Sequence, residues 1–153
     1  MELTQRLEAE SGIRHTVMSV VHEIDARNWA ELRRQFAETV VTDYTSLFGG
    51  EVQTQRADDL VAAWRRLLTP VKATQHLLGP IDVVVRPDGA TARCHVRAYH
   101  YAPDAPGGSE WTVAGHYLFE LKDDPGEWRI HRMTLLAFQQ TGNAKLLQEI
   151  AAR

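Results

Sequence analysis

"VVHEIDARNW", residues 20–29, closes a run in which apolar side chains return at Ile13, Val17, Val20, Val21 and Ile24. That spacing is close to the helical period and predicts a helix with one core-facing stripe. Asp25 extends the row of Met18 and Val21 by a further turn, where the pattern asks for another aliphatic side chain. A buried, unpaired carboxylate costs several kcal/mol, so Asp25 needs a partner, a water-filled cavity or an exit at the helix end. Asn28-Trp29-Ala30-Glu31 has the residue types of a capping box and predicts a second helix starting near Asn28.

"VVTDYTS" (40–46) alternates in type and predicts a short strand with Val40, Thr42, Tyr44 and Ser46 on one side, closed by Gly49-Gly50. A helix is expected over 57–68, where Leu60, Val61, Trp64, Leu67 and Leu68 share a face and Pro70 ends the element. From Ile81 to Gln140 the chain is strand-like, punctuated by "RPDG" (86–89), "PDAPGGS" (103–109) and "DDPGE" (123–127). Those breaks predict an antiparallel meander. A last helix is expected over 143–152, with Leu146, Leu147 and Ile150 on one side.

Helices first and long strands last give an α+β class, a curved antiparallel sheet packed as a cone against N-terminal helices. A cone of this kind holds a small-molecule pocket lined by inward strand residues. It also leaves the outer face of its sheet free to pair with another copy.

The chain has 153 residues, enough for one domain spanning 1–153. Its formal net charge is -3, with 17 basic and 20 acidic residues spread along it, which argues against nucleic acid as a partner. Cys94 is the single cysteine, so neither an internal disulfide nor a cysteine metal cluster can form. The N-terminus is polar, and no run approaches the roughly 18 apolar residues of a membrane span. A cytoplasmic protein without membrane attachment is expected.

Four side chains stand out as candidate chemistry. Asp25 either breaks its stripe to face a cavity or caps and solvates the helix end. His76, in "KATQHLLGP", has apolar neighbours and is placed between the 57–68 helix and the sheet. Beside a carboxylate its imidazole becomes an oriented general base; alone it is a core histidine bonded to backbone. In "ARCHVRAYH" (92–100), Ala92, Cys94, Val96, Ala98 and His100 share one strand face, small and apolar until His100. His100 therefore marks either a pocket rim or a solvent-facing strand end. Tyr44 could hydrogen-bond a substrate carbonyl or simply pack. His95 points away from His100 on a regular strand, which removes that pair as metal ligands. His116 and His131 read as structural, and Trp64, Trp111 and Trp128 as core or interface.

Together, "IDARNWAELRRQF", "VTDYTSL", "TQHLLG", "RAYH" and "GEWRI" resemble the SnoaL-like group of the nuclear transport factor 2 fold, and within it the scytalone dehydratases. The resemblance implies an α+β cone, no metal or organic cofactor, and assembly as a homodimer or homotrimer. It implies an Asp–His pair in the cone, shared with the hexachlorocyclohexane dehydrochlorinases and matched by Asp25 and His76. His100 matches the second dehydratase histidine, and Tyr44 matches one of two tyrosines that position a water on the substrate carbonyl. The other tyrosine is replaced by Ile24, and the polar Ser and Asn of a later strand fall near Gly115 and Tyr117.

The expected function is that of a cofactor-independent lyase of dehydratase type, acting on a small hydrophobic or aromatic carbonyl compound by removing a proton α to the carbonyl. His76 takes the proton, Asp25 accepts its other N–H, Tyr44 steadies the enolate oxygen and His100 protonates the leaving group. An isomerase, cyclase or dehydrohalogenase on the same pocket is the nearest alternative. A non-catalytic ligand holder or assembly subunit is the more distant one.

Overall fold

A computed structural model describes residues 1–152 of the chain. In order, the elements are α1 (Leu3–Asp25), α2 (Trp29–Arg34), β1 (Phe36–Asp43), α3 (Thr45–Phe48), β2 (Gln53–Arg56), α4 (Ala57–Leu68), β3 (Ala73–Leu78), β4 (Asp82–Arg86), β5 (Gly89–Tyr101), β6 (Glu110–Asp124), β7 (Glu127–Gly142) and α5 (Leu146–Ala151). The α1 stripe is buried as its spacing predicts, at Ile13, Val17, Val20, Val21 and Ile24. Met18, one turn earlier on the Asp25 row, faces solvent, so that row turns from water into the interior as the helix advances.

The strands form one seven-stranded sheet in the order β2-β1-β7-β6-β5-β3, with β4 also pairing β5. The expected meander is present as β4, β5, β6 and β7, all antiparallel. The sheet as a whole is mixed, because β1 runs parallel to β7, with an irregular register between Phe36 and Val41. Alternation along one strand carries no record of its neighbour's direction, which is why the purely antiparallel expectation missed this pairing.

Three local expectations change. Segment 73–78 is a strand, pairing antiparallel with β5 from Ala73↔Tyr101 to Leu78↔Val96, and is not a connector between helix and sheet. Strand β1 stops at Asp43, so Tyr44, Thr45 and Ser46 do not continue it. The Asp43 carboxylate accepts both the backbone N–H and the hydroxyl of Thr45, at 3.0 and 2.7 Å, and so turns the chain into α3. Asn28 occupies the N-cap of α2 without a side-chain hydrogen bond, so the expected capping box does not form.

The core lies between the α1 stripe and the inner faces of β5, β6 and β7, where Ala92, Cys94, Val96, Phe119, Leu121, Ile130 and Met133 are buried. Phe36 and Trp64 meet edge to face at 5.9 Å, joining β1 to α4. Burial of these apolar faces is the main force that bends the sheet around the helices. At one end the inner surfaces do not close, and that gap is the pocket.

Candidate active site

Asp25 is the last residue of α1, and β3 passes beside it. Its Oδ1 lies 2.7 Å from His76 Nδ1, and its Oδ2 accepts the His76 backbone N–H at 2.9 Å. The Thr74 hydroxyl donates to Oδ1 at 2.9 Å. Thr74 and His76 reach the same carboxylate because alternate residues of a strand share a face. Burial pushes the Asp25 carboxyl upward, but the donors and the adjacent His76 outweigh it and hold the group below the usual carboxylate range. An ionised Asp25 accepts only, so His76 Nδ1 carries the proton and Nε2 keeps the lone pair.

The His76 side chain is 8 % exposed and lines a cavity of about 260 Å³; Asp25, 22 % exposed, stands behind the ring and outside the lining. Asp25 thus breaks its stripe to hold a histidine, and the histidine faces the cavity. The cavity wall is apolar, joining aliphatic side chains such as Leu60 and Leu135 to Tyr44, Phe48, Trp64, Trp111 and Tyr117, and among the described residues no Lys, Arg, Asp or Glu contributes to it. Such a wall favours a neutral, flat molecule.

His100 also lines the cavity, its ring centroid 6.2 Å from that of His76. Its Nδ1 lies 3.1 Å from the Trp111 carbonyl oxygen, an atom that can only accept, so Nδ1 is the donor and Nε2 is left unprotonated. Burial pulls its pKa down to about 4, against the opposing pull of that carbonyl. A neutral His100 with its proton on Nδ1 has a lone pair at Nε2 that can accept a hydrogen bond.

Tyr44 reaches the cavity from the N-cap of α3 and not from a strand. Its hydroxyl interacts with that of Tyr117 on β6, and burial raises both phenols above their ordinary range. Both stay protonated, and the Tyr44 hydroxyl donates to Met133 Sδ at 3.9 Å. Of the two later positions left open by the sequence, Tyr117 lines the pocket, while Gly115 lies at an irregularity in the β6–β7 pairing. Thr74 escaped the sequence reading, and Trp111, read there as core or interface, is part of the cavity wall. The signal for Thr74 was present in "ATQHLL", whose odd and even positions separate once the segment is read as a strand.

A curved sheet closed by helices around a lined pocket defines a nuclear transport factor 2-like α+β protein. The chain belongs to the SnoaL-like domain family, which matches residues 5–134. A comparison with curated proteins finds no match. Among solved structures, Kfla4162 from Kribbella flavida superposes with a TM-score of 0.87 at 27 % identity, covering 94 % of this chain and 99 % of that one. A protein from Novosphingobium aromaticivorans DSM 12444, provisionally named a scytalone dehydratase, gives 0.80 at 19 % identity over 93 % and 92 %. Hexachlorocyclohexane dehydrochlorinase LinA-type3 from Novosphingobium barchaimii LL02 gives 0.74 at 16 % identity over 94 % and 95 %. At such identities the last two report the fold.

Proposed function

We propose that the protein is a cofactor-independent lyase of dehydratase type, acting on a small aromatic or hydrophobic β-hydroxy carbonyl compound. The observation that supports this best is the Asp25–His76 pair, an imidazole with a fixed tautomer set in the wall of an uncharged apolar cavity. His76 Nε2 removes the proton from the carbon α to the carbonyl, and the C–H electrons form the enolate. The Tyr44 hydroxyl, supported by the Tyr117 hydroxyl and turning from Met133 Sδ, donates to the enolate oxygen as it gains charge. Collapse of the enolate restores the carbonyl, forms the carbon–carbon double bond and breaks the bond to the β-hydroxyl. That oxygen takes the proton now on His76 and leaves as water, so His76 ends neutral. His100, neutral, accepts a hydrogen bond from a substrate hydroxyl and orients it.

The first step is testable without knowledge of the leaving group. A panel of enolisable aromatic ketones and β-hydroxy ketones in heavy water should exchange the α-proton in the presence of the protein, followed by NMR. Replacing His76 by Ala should slow that exchange by roughly a hundred- to ten-thousand-fold. Compounds that bind and return without exchange or turnover would make the protein a ligand holder instead.

A further inference from the structure

Among the described residues, Arg27 is the only one other than glycine with a positive φ, at 59°. The left-handed region is costly for a long L side chain, and a helix ending there ordinarily carries glycine or asparagine. The fold keeps an arginine. Its guanidinium turns inward behind the Asp25–His76 pair, where Nη1 donates to the Ile24 carbonyl at 2.8 Å and Nη2 to the Val71 carbonyl at 3.2 Å. Nη1 also donates to Thr74 Oγ1 at 2.7 Å.

That last contact fixes a direction. Guanidinium has no acceptor, so the bond at Thr74 must be an N–H entering the hydroxyl oxygen. Thr74 owns one hydroxyl proton, and with Arg27 occupying a lone pair that proton is left for Asp25 Oδ1, 2.9 Å away. Oδ1 then holds the Thr74 hydroxyl and the His76 ring N–H, while Oδ2 holds the His76 backbone N–H. Three donors thus meet the carboxylate, and the positive charge of Arg27 lies near it. Burial weakens the hold of Arg27 on its proton, and Asp25 opposes that effect without cancelling it.

We propose that Arg27 and Thr74 are positioning residues of this site: Arg27 orders the Thr74 hydroxyl, which locks the Asp25 carboxylate in the rotamer and charge state that set the tautomer and basicity of His76. The inference rests on the role given to His76 above. The chain of donors has one orientation, running from Arg27 through Thr74 to Asp25, and meets the His76 N–H from the opposite side. Removing either donor leaves the carboxylate charge less stabilised, so Asp25 draws more strongly on the His76 proton and the imidazolium becomes easier to form.

The decisive variants separate backbone strain from side-chain contact. Arg27→Gly suits a positive φ, so it removes the side chain with its guanidinium without adding backbone strain. Thr74→Val keeps the shape and removes the hydroxyl, whereas Thr74→Ser keeps the hydroxyl. In a heteronuclear NMR titration of the full chain, Arg27→Gly and Thr74→Val should raise the His76 midpoint by about half a unit or more. The same two should keep the Nδ1–H tautomer and slow α-proton exchange at least about tenfold in kcat, as the ring loses its fixed orientation, with little change in KM. Thr74→Ser should restore both readings. An unmoved His76 midpoint in both Arg27→Gly and Thr74→Val, with thermal unfolding still cooperative, would overturn the proposal even where exchange proceeds. Shifted midpoints in a protein that exchanges no ketone would uphold the relay and refute the lyase reading.

Discussion

The Asp25 carboxylate accepts both the ring N–H and the backbone N–H of His76, a residue 51 positions later in the chain. One bond fixes the ring tautomer, and the other fixes the strand that carries the ring. Because both originate from one carboxylate, loss of the acid disturbs the position of the base as well as its proton. Asp25→Asn should therefore lower turnover by a factor comparable with His76→Ala, since an amide presents one acceptor where the carboxylate presents two. Steady-state kinetics of the two single variants and the double variant check this, with the double expected to fall little below the singles.

Stability should depend on pH through His100. Its folded pKa of about 4 lies below the ordinary histidine value of 6.5, so the unfolded chain binds the proton more readily. Above pH 6.5 both states are neutral there, and the group has no effect on stability. As pH falls from about 6.5 to about 4, the group favours unfolding increasingly, by up to about 3 kcal/mol, and the effect then levels off. Urea unfolding at stepped pH, with His100→Gln as the flat reference, measures it.

Asp25 adds a second and lower window. Its folded pKa is depressed, so its contribution is complete above the unfolded value and disappears as pH falls through the folded one. The same urea series extended to more acid pH should show a further loss of stability in the native chain that Asp25→Asn lacks.

Cys94 faces the interior of β5 at 4 % exposure, and burial raises its thiol to about 11. The thiolate is the reactive form, so labelling by a disulfide reagent at neutral pH should be slow in the native chain and rapid in denaturant. Fast labelling under native conditions would mean that the inner face of the sheet opens.

Gly115 tests the sheet itself. A Cβ at this position would overlap the Leu136 carbonyl oxygen, and it would lie 2.9 Å from Ala137 Cα, both on the neighbouring strand β7. Gly115→Ala should therefore cost about 1–3 kcal/mol and lower the melting temperature by several degrees. Thermal unfolding followed by circular dichroism gives the comparison.

Much of the fold is legible in local pattern because each pattern reports a solvent boundary. The stripe from Ile13 to Ile24 gives α1, the amphipathic run from Leu60 to Leu68 gives α4, and the breaks at 86–89, 103–109 and 123–127 separate the four meander strands. The alternation from Ala92 to His100 separates the inner from the outer face of β5, as burial bears out. Asp25 is conspicuous as a carboxylate at the end of an apolar stripe. His76 is legible as a histidine among apolar neighbours, but the strand that carries it is not, because "ATQHLL" is too short and too mixed to declare itself a strand before β5 is there to pair with it.

Periodicity along the chain is enough to place α1, α4 and the four meander strands, to separate their inward faces and to expose a misplaced acid. Tertiary structure alone decided that β1 runs parallel to β7, that Tyr44 enters the cavity from a helix cap beside Tyr117, and that Thr74 and Arg27 converge on Asp25. The physical reason is that side-chain periodicity records which way a residue points relative to water. Which distant groups share a hydrogen bond is settled only when the strands acquire their register.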